Sequence, residues 1–329
     1  MKDIHKILEA AYSRGLEAAK QGKVATYIPE LGKADPMALG ISICLPDGTR
    51  YEIGDTEKRF SIQSISKVIT LALALKCCGV DAVFEKVGME PSGEAFNSLV
   101  ELDLRSNRPF NPMINSGAIT VVSMLKNHIS VDELLAYTRR VCMDPEITFN
   151  EAVYESEMNH LSRNRSIAYL LESKGIIMDV EESLQYYTRA CSMNVTARDL
   201  ATLGVVLAKD GRKPHSIERF IDSRIVEIIK TIMVTCGMYD GSGEFAVRVG
   251  IPTKSGVGGG LLSVSHDKLG IGIYGPSLDE KGNCIAGRPI LELLADELQL
   301  KLFEKGSIVE ELEQKVFETV VSVNEKLRH

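Results

Sequence analysis

Apolar residues recur at three- and four-residue spacing through the middle of this chain and alternate with polar ones only towards its two ends. Met1 to Gln21 reads as an amphipathic helix, with Ile4, Ile7, Leu8 and Ala11 on one face. Gly40–Leu45 and Thr49–Ile53 flank Pro46-Asp47-Gly48, and an Asp-Gly pair between β-type runs predicts a hairpin. Near the other end, residues 244–251, 260–265 and 268–274 read as strands of an antiparallel meander. Between these regions the helical period predicts helices near 64–79, 115–128, 131–143, 150–173, 178–191, 196–209 and 219–235. Ser130, with Glu133 three positions on, opens one of them as a capping box. Two more helices are expected at 289–303 and 307–326.

Two early strands alone make a marginal hairpin, whereas two early and three late strands make a sheet of ordinary size. The expected fold is therefore α/β: a five-stranded antiparallel sheet drawn from both chain ends, flanked by helices, with an all-helical insertion. The expected division is residues 1–64 with 225–329 for the sheet, and 65–224 for the helical part. A cleft between the two is a natural place for a site.

Composition narrows the class. The chain has 329 residues, 44% hydrophobic and 25% charged, which excludes a disordered or low-complexity chain. A net charge of −7 with no long basic run speaks against nucleic-acid partners, which need phosphates neutralised. The longest apolar run, Val68–Leu75, is too short to span a membrane, and the first residues lack the apolar core of a secretory signal. Seven cysteines show no Cys-x-x-Cys and no zinc-finger spacing, so reduced thiols and a cytoplasmic location are expected.

Most chemical motifs fail. Gly250–Ser255 is one residue short of a phosphate loop, and Gly256–Gly260 is followed by a strand, unlike a dinucleotide fingerprint. The six histidines lie outside the Gly-, Ser- and Asn-rich clusters and read as surface residues. A serine enzyme whose base is lysine or tyrosine needs none of them. Ser64-Ile65-Ser66-Lys67 opens the first long helix, where residues three apart share a face and the partial positive charge favours an oxyanion. Ser123/Lys126 and Ser265/Lys268 match the same spacing by chance. What distinguishes Ser64/Lys67 is Lys254-Ser255-Gly256 before a late strand, because S-x-x-K followed by K-[ST]-G marks the penicillin-recognising serine enzymes.

The surrounding stretches are more specific. Thr26–Leu31, Gln63-Ser64-Ile65-Ser66-Lys67, Glu90–Asn97, Pro109–Ile119, Ser156-Glu157 with Arg163-Asn164-Arg165, Cys236-Gly237-Met238-Tyr239 with Ser242-Gly243, and Lys254–Gly259 resemble the serine-dependent glutaminases, over roughly residues 24–300. That resemblance implies a serine β-lactamase-like fold and hydrolysis of L-glutamine to L-glutamate and ammonia, without metal or organic cofactor. It implies a catalytic set of Ser64, Lys67, Tyr239 and Lys254, with Ser64 as nucleophile, Lys67 as its base and Tyr239 as the second proton carrier. The backbone N–H groups of Ser64 and Val257 would form the oxyanion hole. Glu157 would face the substrate ammonium, and Tyr27, Asn115, Asn164 and Tyr187 its carboxylate, with Ser64, Tyr239 and Val257 completing the substrate contacts.

Residue type alone leaves other roles open. Asn115 also reads as a helix N-cap, Tyr187 and Tyr239 as core, Glu157 as a solvated helix face, and Gly258–Gly260 as a place of close backbone approach. Cys284 stands where the family pattern leads to serine, on what reads as a peripheral loop. The stripe Ile308, Leu312, Val316, Val320 and Val323 fits either packing on its own core or a homo-oligomer interface, dimer or tetramer. The alternative activity is a β-lactamase or peptidase-like acyl hydrolase of the same fold, which predicts export and has no use for an ammonium anchor. A binding protein that had lost catalysis predicts loss of one of the four catalytic side chains, and all four are present.

Overall fold

The computed structural model describes residues 3–93, 98 and 107–303. In chain order the elements are helix α1 (Ile4–Ala19), strands β1 (Gly40–Cys44), β2 (Arg50–Gly54) and β3 (Phe60–Ser61), then helices α2 (Ser66–Cys78), α3 (Val80–Lys86), α4 (Asn115–Leu125) and α5 (Val131–Cys142). Strand β4 (Thr148–Phe149) precedes helices α6 (Glu151–Met158), α7 (Ser162–Ser173) and α8 (Val180–Cys191). Strand β5 (Met193–Val195) leads to helices α9 (Ala197–Ala208), α10 (Ser223–Cys236) and α11 (Ser242–Arg248). Strands β6 (Thr253–Ser255), β7 (Gly260–Ser265) and β8 (Leu269–Tyr274) and helix α12 (Gly287–Leu298) complete the described chain.

The five-stranded sheet has the order β2-β1-β8-β7-β6, antiparallel throughout, so both chain ends meet at the β1–β8 pair. Gly40 lies opposite Gly54 on one side and Tyr274 on the other. The predicted Asp47-Gly48 hairpin is present: Leu45 N–H donates to the Thr49 carbonyl at 2.9 Å, and Gly48 takes φ 77°. The period of two sets the two faces. Ile41, Ile43, Ile271 and Ile273 form one core with Leu8 and Ala11 of α1 and Ile290, Leu291 and Leu294 of α12. The other face carries Cys44, Leu262 and Val264 towards the helices. There α9 lies directly on the strands. A Cβ on Gly272 would stand 1.9 Å from the Ala197 carbonyl oxygen, so only glycine permits this approach.

Helix α2 is buried on every side from Ser66 to Leu75, as its unbroken apolar run requires of a core helix. Among the described residues no helix is long and apolar enough to cross a membrane. The capping box at Ser130 and Glu133 is formed.

Two expectations need correction. Residues 244–251 are not a strand. Phe245, Val247, Val249 and Ile251 alternate, but Ser242–Arg248 is helix α11, with Phe245 and Val249 buried one turn apart and Val247 87% exposed. The fifth strand is β6, whose three residues are too few to display a period. The stretch 150–173 is two helices, broken at Asn159–Leu161, where His160 Nδ1 donates to the Ser156 carbonyl at 2.7 Å and occupies a carbonyl of the last turn of α6. A second, three-stranded sheet, β3-β5-β4, has no counterpart among the expected elements, and it carries the chain into the Ser64 turn. The helix expected at 307–326, with its apolar stripe, lies outside the described residues, as does most of 94–106.

Candidate active site

Ser64 sits in a tight 3-10 turn, Gln63–Ile65, between β3 and α2, and is buried. Gln63 holds φ 48°, a left-handed conformation that costs a side chain about 1–3 kcal/mol, and it is itself buried. The turn is fixed from the far end of the chain. The loop from Gly256 to Gly259 lies against it so closely that a Cβ on Gly258 would come within 2.3 Å of the Ser61 carbonyl oxygen. This is the close approach that the glycine run allows, and it brings Val257 beside Ser64. The backbone N–H groups of Ser64 and Val257 form no backbone hydrogen bond among the described residues.

A cavity of about 70 Å³ opens over this turn. Of the expected site residues, Tyr27, Ser64, Asn115, Glu157, Asn164, Tyr187 and Val257 line it, although they come from seven separate elements or loops. Tyr27 is 55% exposed and forms part of its mouth, whereas Glu157 and Tyr187 are buried. Lys67, Tyr239 and Lys254 do not line the cavity. All three are buried.

Lys67 Nζ donates to the Asn115 Oδ1 at 2.8 Å and to the Met113 carbonyl at 3.1 Å. Asn115 Oδ1 also accepts from the Tyr187 hydroxyl at 3.2 Å, and its Nδ2 donates to Asn164 Oδ1 at 2.9 Å. Asn115 is therefore a junction rather than a cap. It is the first residue of α4 and Ile114 holds the N-cap position, while Asn111 Oδ1 accepts from the Met113 and Ile114 backbone N–H groups. Burial lowers Lys67 to about 8. An amine near that value is available as a base close to neutral pH.

Tyr239 begins a 3-10 turn just after α10, with φ 55°. Its hydroxyl donates to the Ser255 carbonyl at 3.3 Å and is within hydrogen-bonding reach of the Ser64 side chain. Burial holds the phenol well above its ordinary range. Lys254 is fully buried on β6, with Nζ 4.6 Å from the centre of the Tyr239 ring. Nζ donates to the Gly237 carbonyl at 3.2 Å and to the Ser255 carbonyl, pinning the Tyr239 turn to β6. Burial, reinforced by the nearby Lys67, pulls Lys254 well below the usual lysine range.

Glu157 belongs to α6, and its burial contradicts the reading as a solvated helix face. Burial raises it to about 7, against the opposing pull of a hydrogen bond from Gln63 and the charge of Lys67. Gln63, His160 and Arg163 also line the cavity and were not among the expected site residues. Gln63 and Arg163 lie inside the matching stretches, which was the available signal. His160 is a surface residue, as expected of the histidines, but its surface is the rim of this cavity. Among the described residues no cluster of three or more His, Cys, Asp or Glu side chains could hold a metal ion.

A family model described as glutaminase matches residues 22–303. A glutaminase of Clostridium botulinum (strain Hall) is 48% identical over 305 residues, covering 91% of this chain and 100% of that protein. Glutaminase 2 of Clostridium perfringens (strain 13) is 48% identical over 301 residues, covering 90% and 99%. Among solved structures, a probable glutaminase from Bacillus subtilis complexed with 6-diazo-5-oxo-L-norleucine superposes with TM-score 0.84 at 35% identity, covering 92% of this chain and 98% of that one. Mglu in its tris and glutamate form gives TM-score 0.85 at 36% identity, covering 94% and 69%. The architecture is the serine β-lactamase-like one expected from the sequence. Matched along nearly its whole described length by the family model, and near half identity to its relatives, this chain belongs to the glutaminase family.

Proposed function

We propose that the protein hydrolyses L-glutamine to L-glutamate and ammonia through a glutamyl ester on Ser64. The observation that carries this reading is a small cavity that Ser64 lines together with Glu157, Asn115, Asn164 and Tyr187, with Lys67 buried against Asn115 and the buried Tyr239 hydroxyl in reach of Ser64. Glu157 would meet the substrate ammonium. Tyr27, Asn115, Asn164 and Tyr187 would hold its carboxylate, which leaves the side-chain amide over Ser64.

In this reading Lys67 receives the Ser64 proton as Oγ attacks the amide carbon. The oxyanion is held by the N–H groups of Ser64 and Val257, and in comparable acyl-transfer sites one such donor contributes about 3–4 kcal/mol. Tyr239 passes a proton to the departing ammonia, then takes one from the water that attacks the ester; the C–Oγ bond breaks and Ser64 recovers its proton. Lys254 acts on this sequence by holding Tyr239 in place. The ligand of the Bacillus relative supports the reading, because 6-diazo-5-oxo-L-norleucine is by its formula glutamine with a diazoketone in place of the amide. The seven free thiols fit a reducing, cytoplasmic setting.

The test is coupled detection of glutamate from glutamine with the parent and the Ser64→Ala protein. Loss of turnover with an unchanged fold supports the reading; turnover near the parent's would remove Ser64 from the mechanism. The rival acyl hydrolase of the same fold would cleave a β-lactam and ignore glutamine.

A further inference from the structure

Cys191 is the last residue of α8 and is buried, yet the reaction outlined above makes no use of its thiol. It follows Tyr187 by four positions, and residues four apart on a helix share a face. That face meets α2, where Cys191 Sγ lies 3.8 Å from Oγ of Ser66, the residue before Lys67. The thiol and the Tyr187 hydroxyl are also hydrogen-bonding neighbours. Ser66, Lys67 and Tyr187 are all buried around it.

The donors and acceptors of this cluster can be counted. Tyr187 has one hydroxyl proton and gives it to Asn115 Oδ1 at 3.2 Å, the atom that also accepts from Lys67. The Tyr187 oxygen keeps acceptor capacity in a buried place, where an unfilled acceptor is costly. Among the described residues the Ser66 hydroxyl has Cys191 Sγ as its one hydrogen-bond partner. With Ser66 donating to the sulfur, the S–H is left to donate to the Tyr187 oxygen. Burial pushes the thiol up to about 12, so it keeps the proton it donates.

We propose that Cys191 is a positioning residue for substrate binding: its thiol donates to the Tyr187 oxygen and fixes the hydroxyl that receives the α-carboxylate of glutamine. The proposal rests on the reading above in which Tyr187 holds that carboxylate. As substrate enters, the Tyr187 O–H turns from Asn115 to the carboxylate, while the S–H bond keeps the oxygen in place. A thiol is a weak donor and a weak acceptor, so it orders the phenol without competing with the carboxylate for the phenol's proton. Lys67 keeps its bonds to Asn115 and Met113, so the effect falls on binding and not on the chemical step.

The experiment measures kcat, KM for L-glutamine and the urea midpoint in the parent, Cys191→Val, Cys191→Ser, Tyr187→Phe and the Cys191→Val/Tyr187→Phe double variant. Valine fills the site without a donor, whereas serine keeps one. Cys191→Val is expected to raise KM about three- to tenfold, the range one hydrogen bond commands, with kcat held within about twofold. Cys191→Ser should return KM towards the parent's, and valine should add nothing once Tyr187 is phenylalanine. An unchanged KM in Cys191→Val overturns the proposal, as does a valine effect that persists in full in the Tyr187→Phe background. A lowered urea midpoint with loss of kcat that serine fails to rescue overturns it as well, since packing alone would do that. A Tyr187→Phe protein with the parent's KM would instead overturn the placement of Tyr187 on the carboxylate, so the two failures are distinguishable.

Discussion

Gln63 Nε2 donates to Glu157 Oε2 at 3.3 Å, joining the residue before Ser64 to a carboxylate 94 positions later in the chain. The bond ties a left-handed turn to the side chain that faces the cavity, and it opposes the rise that burial imposes on Glu157.

Gln63→Ala is expected to release that opposition. Glu157 then titrates above its present value of about 7, and the pH at which KM for glutamine improves moves upward with it. A KM–pH profile identical to the parent's would separate Gln63 from the anchor.

The proposed role of Glu157 requires an ionised carboxylate opposite the substrate ammonium, so KM in the parent should fall as pH rises through about 7. Glu157→Gln should lose that dependence and raise KM about 30-fold or more, the cost of removing one partner of a buried charge pair. Its effect on stability has a definite sign. Between 4.5 and about 7 the unfolded carboxyl is ionised and the folded one is not, so this group makes stability fall as pH rises. The glutamine variant should gain on the parent across that window in urea titrations, and a constant difference would contradict the buried carboxyl.

Lys67 has the opposite dependence. Its folded value is about 8 against 10.5 in the unfolded chain, so the charged amine is penalised below pH 8 and the penalty disappears as pH rises to 10.5. Stability owed to this residue therefore rises with pH through that window. Lys67→Met should lower kcat/KM by about 10²–10⁴. It should also be more favourable to stability, relative to the parent, at pH 7 than at pH 10. The difference between the two pH values is the readout, because it follows the protonation of Lys67 and not the packing that methionine also changes.

Gly272→Ala tests the fold rather than the chemistry. The added Cβ would stand 1.9 Å from the Ala197 carbonyl oxygen and must push α9 off β8. A loss of about 1–3 kcal/mol or more is expected in urea unfolding. An unchanged midpoint would show that helix and strand are not in backbone contact.

The sequence alone determined what local interactions decide. Asp47-Gly48 sets its own turn, Ser130 and Glu133 close their own cap, and the three-residue spacing of Ser64 and Lys67 with the late Lys254-Ser255-Gly256 marked both halves of the candidate site. Tertiary structure decided the rest, because the contacts involved join residues far apart in the chain. Phe245 to Ile251 alternate like a strand, yet burying Phe245 and Val249 together required a helix. The buried positions of Glu157 and Lys254, which move their proton affinities, follow from helices and strands closing over them. Neither the hydrogen-bond junction at Asn115 nor the tie from Gln63 has any local signature, because each partner is fixed by a different element of the finished fold.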